Sequence, residues 1–179
     1  MQPELTFPAM LRLDLARLGR EGTLRVDARV PPDDAIWNGM EGAFDGPVDV
    51  LLRASYAGTG EIVVRGTVTA TVRQECRRCL EPVSTELAEE LTMVFLASDS
   101  PGAEGDADVR LFKSNAVELD LSEPVREEMI LGMSPYVVCD PDCRGLCPEC
   151  GANRNTDPCS CTRTESESRW DALRALKEE

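Results

Sequence analysis

The sequence predicts an α+β protein: an antiparallel β-rich sheet or partly closed barrel with packed helices, followed by a Cys-rich zinc-binding C-terminal segment. Three observations lead there. Apolar residues alternate with polar ones in repeated runs between residues 11 and 96, a helical stripe follows around Val125, and eight cysteines occur in a chain with no histidine. A length of 179 residues suits one main core and a small appendage, so the expected units are a core domain over 1–138 and a tail over 139–179. Aromatic residues make up only 4% of the chain, so the core is expected to rest on Val, Leu, Ile, Met and Ala.

Leu11, Leu13 and Leu15 alternate with Arg12 and Asp14, and Leu24, Val26, Ala28 and Val30 with Arg25, Asp27 and Arg29, so both runs read as half-buried strands. The prolines at 31 and 32 end the second, and Gly39, Gly42 and Gly46 mark an irregular connection. A hairpin comes next. Val48, Val50, Leu52, Ala54 and Tyr56 share a face, the glycines at 58 and 60 turn the chain, and Ile62, Val64, Val68, Ala70 and Val72 resume the alternation. A third strand from Val83 to Leu96 carries Leu87, Leu91, Met93 and Phe95 on one side. Cys76 and Cys79 therefore fall at a strand-to-strand turn.

Residues 98–109 are acidic and small and read as a surface loop, and residues 116–121 as a short strand. Ser122 can cap a helix with Glu123 and Pro124 in its first turn and Val125, Met129, Ile130 and Met133 along one stripe, and Pro135 bars its continuation. From Cys139 to Cys161 almost nothing apolar is available to bury, so that stretch needs a ligand to order it. A terminal helix begins at Ser168, with Trp170, Leu173 and Leu176 on one face and Asp171 at capping-box distance. No repeat of fixed period is present.

The cysteines at 147 and 150, joined by Pro148 and Glu149 and followed by Gly151, form the most specific motif. Such a turn aims two sulfurs at one point, and Cys159 and Cys161 complete a tetrahedral set with no open position, which makes the site structural. Binding there supplies on the order of 10 kcal/mol, enough to fold a segment without a core. Cys76, Cys79, Cys139 and Cys143 form a second set that pins the hairpin to the tail, although the spacing also allows Cys139 or Cys143 to replace Cys159 or Cys161. One or two Zn²⁺ ions are therefore expected. The N-terminus lacks the basic start and apolar run of a secretory signal, no window spans a membrane, and a reducing cytoplasmic setting favours thiolate–metal bonds over disulfides.

A net charge of −14 opposes broad binding to phosphate backbones and favours a basic partner. Charge is unevenly placed, however. Arg65, Arg73, Arg77 and Arg78 cluster along residues 62–80 with Glu75 as their lone acid, which leaves room for a local RNA contact. Arg77 and Arg78 also suit a role beside thiolates, whose charge they would offset. Catalysis is not expected: without histidine there is no Ser-His-Asp or Cys-His arrangement and no ordinary proton shuttle at neutral pH, and no glycine loop cradles phosphate.

Three motifs follow one another along the chain: Cys76-Arg77-Arg78-Cys79-Leu80-Glu81-Pro82-Val83, then Leu119-Asp120-Leu121 ahead of Glu127-Glu128-Met129-Ile130-Leu131, then Cys143-Arg144-Gly145-Leu146-Cys147-Pro148-Glu149-Cys150-Gly151. Their order resembles the bacterial YceD family, also called the large ribosomal RNA subunit accumulation protein. The resemblance runs from Met10 onward. It implies a role in accumulation of large-subunit ribosomal RNA and hence in ribosome assembly, not an enzymatic activity; together with the chain's acidity it leads to the expectation of a ribosomal protein or ribonucleoprotein partner and of no small-molecule substrate. It also implies that members keep the first cysteine pair more often than the tail cysteines, and the terminal helix departs from the Asp-Pro-Arg start of relatives. Two rival readings stand beside it: a zinc-ribbon module that binds RNA through the four arginines, and a thiol redox switch at Cys76 and Cys79.

Overall fold

Leu11 and Leu13 are buried as the alternation predicts, but the strand they begin is short in the computed structural model, which describes residues 11–40, 43–58, 60–100, 109–157 and 159–161. Strand β1 covers Arg12–Asp14 and helix α1 follows at once over Leu15–Glu21. The expected strand through Leu15 is corrected by its own polar residue. The Asp14 carboxylate accepts the Arg17 amide at 2.7 Å, an N-cap, and Gly22 at φ 73° closes the helix by donating its amide to the Leu18 carbonyl at 2.8 Å. Leu18 then enters the core.

The remaining alternating runs build β2 (Thr23–Val30), β3 (Val48–Tyr56), β4 (Ile62–Glu75) and β5 (Pro82–Ala97), and a strand not expected from the sequence, β6 (Val109–Phe112), begins where the acidic loop was expected to end; the five form one sheet in that spatial order. Four of them pair antiparallel, as the expected antiparallel β-rich sheet has them, while β6 joins β5 in parallel and makes the sheet mixed. It is also open. With β2 and β6 at opposite edges, it takes the sheet form of the two expected and not the barrel. The β3–β4 hairpin has the expected register, Tyr56 opposite Ile62, closed by the Ala57 amide on the Glu61 carbonyl at 2.8 Å.

Both helices pack on the inner face of this sheet. A two-stranded ribbon of β1 with β7 (Glu118–Asp120) joins them there. Between β2 and β3 the irregular connection does more than link strands: a short 3-10 turn, Ala35–Trp37, buries Ile36 and Trp37, and Trp37 packs against Phe44 with ring centroids 4.8 Å apart and planes tilted by 59°. The indole N–H donates to the Pro31 carbonyl at 3.0 Å, so its polar atom is satisfied as it enters the core. A chain poor in aromatics thus places one of its two tryptophans in the core.

Helix α2 covers Ser122–Gly132. Ser122 was expected to cap it but lies within its first turn, its hydroxyl buried without a partner, while Asp120 accepts the Ser122 amide at 2.8 Å and Leu121 holds the cap position. Val125 and Met129 are buried and Met133 packs on the core, whereas Ile130 is 42% exposed and leaves the expected stripe. The terminal helix at Trp170, Leu173 and Leu176 and most of the acidic loop lie outside the described residues.

Candidate metal centre

The two longest strands, β4 of 14 residues and β5 of 16, end at a turn made by Cys76 and Cys79. The Cys76 amide donates to the Glu81 carbonyl at 2.8 Å and the Leu80 amide returns to the Cys76 carbonyl at 2.9 Å. Leu80 sits at φ 62°, the one non-glycine residue with positive φ among the described residues. The chain between Cys147 and Ala152 repeats this turn: Cys147 N–H to Ala152 O at 2.8 Å, Gly151 N–H to Cys147 O at 2.9 Å, and Gly151 at φ 74°. Two segments without a sequence repeat therefore share one turn geometry, and in each it directs a pair of sulfurs to the same side.

Each turn meets two further cysteines. Cys76, Cys79, Cys139 and Cys143 have sulfurs all within 4.8 Å of one another, and so do Cys147, Cys150, Cys159 and Cys161. This is the first of the two divisions the spacing allowed. Cys76 Sγ lies 3.8 Å from Cys143 Sγ and Cys79 Sγ lies 3.5 Å from Cys139 Sγ. Four sulfurs at about 2.3 Å from a tetrahedral zinc stand about 3.8 Å apart, so the donor set and its spacing fit such an ion, whereas a disulfide needs about 2.05 Å. All eight cysteines are free thiols.

Amide hydrogens surround the sulfurs and set their acidity. In the second cluster, backbone N–H groups of Cys150 and Glu149 draw the Cys147 thiol down to about 6. Burial opposes the same change at Cys76, but backbone hydrogen bonds around Cys139, Cys79 and Arg78 prevail and bring it also to about 6. Cys139 moves the other way, to about 12, because its sulfur faces Cys79 and then Cys143, and contact with Cys150 lifts Cys161 to about 12. Negative charge therefore settles first on the leading cysteine of each turn, Cys76 and Cys147. Four thiolates at this spacing repel one another until a cation lies between them.

Several residues hold the first cluster together. Arg78 donates through Nη1 to the carbonyls of Pro141 and Cys143, both at 3.0 Å, and its own carbonyl accepts the Leu146 amide at 2.9 Å. Asn155, which lies between the cysteines of the second cluster in sequence, donates through Nδ2 to Cys143 Sγ at 3.3 Å and accepts the Arg144 amide at 2.8 Å. Asn153 reaches Glu81 at 3.2 Å. The two asparagines link the clusters, and sequence reasoning missed them; their spacing of two inside a cysteine-bounded loop was the available signal. Val83, Val138 and Leu146 pack around Cys76, Cys79 and Cys143 as a second small core.

The four arginines singled out from the sequence do not converge. Arg78 is taken up by carbonyls, Arg77 lies over the Tyr136 ring at 5.8 Å, Arg73 pairs with Asp45, and Arg65 stands on the outer face of β4. None of the described helices is long and apolar enough to cross a membrane.

The family profile described as "Large ribosomal RNA subunit accumulation protein YceD" matches residues 64–177. An uncharacterized protein of Mycobacterium tuberculosis is 31% identical over 154 residues, 83% of this chain and 72% of its own length. A Zea mays protein named "Large ribosomal RNA subunit accumulation protein YCED homolog 1, chloroplastic" is 30% identical over 130 residues, 57% of this chain and 44% of its own. Its Arabidopsis thaliana namesake is 34% identical over 68 residues, 38% of this chain and 21% of its own. No solved structure matches.

Proposed function

The chain belongs to the YceD family, and on that premise we propose that it supports accumulation of large-subunit ribosomal RNA as a non-enzymatic, zinc-stabilised factor that binds a ribosomal protein or ribonucleoprotein. The observation that carries this reading is the pair of four-sulfur sets, one at the tip of the longest hairpin and one in the segment that follows. Four thiolates fill a tetrahedral zinc's coordination and leave no vacancy for water or substrate, so metal in these sites orders chain and does not activate a nucleophile. The absence of histidine from the sequence points the same way. With 33 acidic residues against 19 basic, the protein draws basic partners and is repelled by bare nucleic acid over most of its surface.

The test is genetic and biochemical together. In a bacterium deprived of its own family member, expression of this chain should restore the ratio of large- to small-subunit ribosomal RNA, and purification at low salt should bring down ribosomal protein or precursor particles. A ratio unchanged by the loss or return of the protein would overturn the reading.

A further inference from the structure

The outer face of the sheet carries an arrangement that the sequence conceals. Arg25 on β2 pairs in register with Arg53 on β3, which pairs in register with Arg65 on β4, so three arginines from distant parts of the chain stand in one row across neighbouring strands. Each is exposed, and among the described residues none forms an ion pair. Arg29, on the same face, is by contrast paired with Asp49 at 3.5 Å. Like charges directly opposite one another destabilise a sheet, and with strands about 4.8 Å apart the row concentrates three of them within about 10 Å. Nothing in the folding of this sheet requires that cost.

The row borders a groove of about 300 Å³, with Leu51 exposed beside it and Asp27 as its one acid. At Gly66, next to Arg65, β4 presses so closely on β3 that a Cβ would meet the Leu51 carbonyl oxygen and lie 2.8 Å from the Leu52 Cα. Both helices pack on the other side of the sheet, so no described element covers this face.

We propose that Arg25, Arg53 and Arg65 form a phosphate-binding strip that holds the backbone of single-stranded RNA. The proposal rests on the reading above, that the protein works on a ribonucleoprotein, and names the contact with its RNA. Guanidinium groups recognise phosphate oxygens bidentately, and a strip of three neighbouring forks suits a run of phosphates better than a single anion. No aromatic side chain shares the row, so the strip positions a strand without stacking its bases or reading its sequence. The surrounding acidity confines RNA to this face and keeps the contact weak enough to release.

The experiment titrates the full zinc-loaded chain with a single-stranded RNA of about 16 nucleotides across a salt series. Three phosphate contacts predict a slope of log affinity on log salt of about −2, and Arg53→Gln alone should reduce it by about 0.7. The triple variant Arg25→Gln, Arg53→Gln, Arg65→Gln should bring the slope near zero with a melting temperature equal to or above the parent's, because repulsion has been removed. An unaltered affinity and slope in the variants would overturn the proposal. Binding of polyglutamate in place of RNA would also overturn it and assign the row to an acidic protein segment. RNA binding absent from the parent would overturn the strip while leaving the ribosomal RNA ratio, measured separately, to judge the broader function.

Discussion

Leu80 and Gly151 occupy the same place in two copies of one turn, at φ 62° and 74°, yet only glycine adopts that conformation without strain. Leu80 is 57% exposed, so shortening it forfeits little packing. Leu80→Gly should therefore leave stability within about 1 kcal/mol of the parent or slightly above it, whereas Gly151→Ala should lose about 1 kcal/mol, both read from chemical denaturation of the zinc-loaded protein. Gly66 is different: its limit is space. Gly66→Ala would drive a methyl group into β3 at Leu51 and should cost about 1–3 kcal/mol by the same measurement. Arg78 holds the cysteine-bearing segments through one guanidinium nitrogen that donates to two carbonyls at once. Arg78→Ala should lower zinc affinity by about 10-fold or more, measured by competition with a chromophoric chelator, while melting of the main core stays unchanged. The two-carbonyl grip was beyond reach of sequence. Arg78 was visible as a cation beside thiols, but which partner it takes depends on Pro141 and Cys143, more than 60 residues away.

At the scale of elements, the β4–β5 hairpin and its cysteine turn were legible because two independent signals, period-two alternation and the short cysteine spacing, coincide there. Where one signal stood alone it misled. Three alternating leucines suggested a strand through Leu15, but the Asp14 cap ends that strand at Asp14 and carries Leu15 into α1, which Gly22 closes, and Ser122 was displaced from the cap of α2, where Asp120 accepts its amide. The parallel partnership of β6 with β5 left no local mark, since a strand of four residues is too short for its pattern to distinguish a parallel neighbour from an antiparallel one. The cysteine turns also carry the pH dependence. At neutral pH, Cys139 and Cys161, raised to about 12, hold protons that zinc must displace, while Cys76 and Cys147, lowered to about 6, are largely ionised. Zinc binding should therefore release protons, seen in calorimetry as a heat that changes with the ionisation enthalpy of the buffer. The sign for stability follows from the lowered pKa of these thiols: the thiolate contribution of Cys76 and Cys147 is complete above the ordinary thiol value of about 8.5 and disappears as pH falls through about 6. A buffer-independent heat would show that metal does not replace those protons.

Across the whole molecule, charge and packing are sided. The inner face of the sheet holds both described helices and the Trp37–Phe44 pair, while the outer face, which no described element covers, carries the arginine row in an otherwise acidic protein. The division into core and tail was read from composition, since the stretch from Cys139 onward has almost nothing apolar to bury. Composition did not show how closely they join. Cys139 and Cys143 complete the set begun by Cys76 and Cys79, and Asn155 ties the next cluster to Cys143, so the cysteine-rich segment is built onto the end of the hairpin. Metal removal should accordingly expose the segment after Met133 to protease while the main sheet, with its own core, persists.

That dependence rests on metal being present in both cysteine sets, and native mass spectrometry of freshly purified protein, compared with its acid-denatured mass, tests it most directly. The account predicts two zinc ions per chain in the native protein and eight reduced thiols after denaturation. A native mass with no bound metal, or a denatured mass showing disulfides among these cysteines, would contradict it.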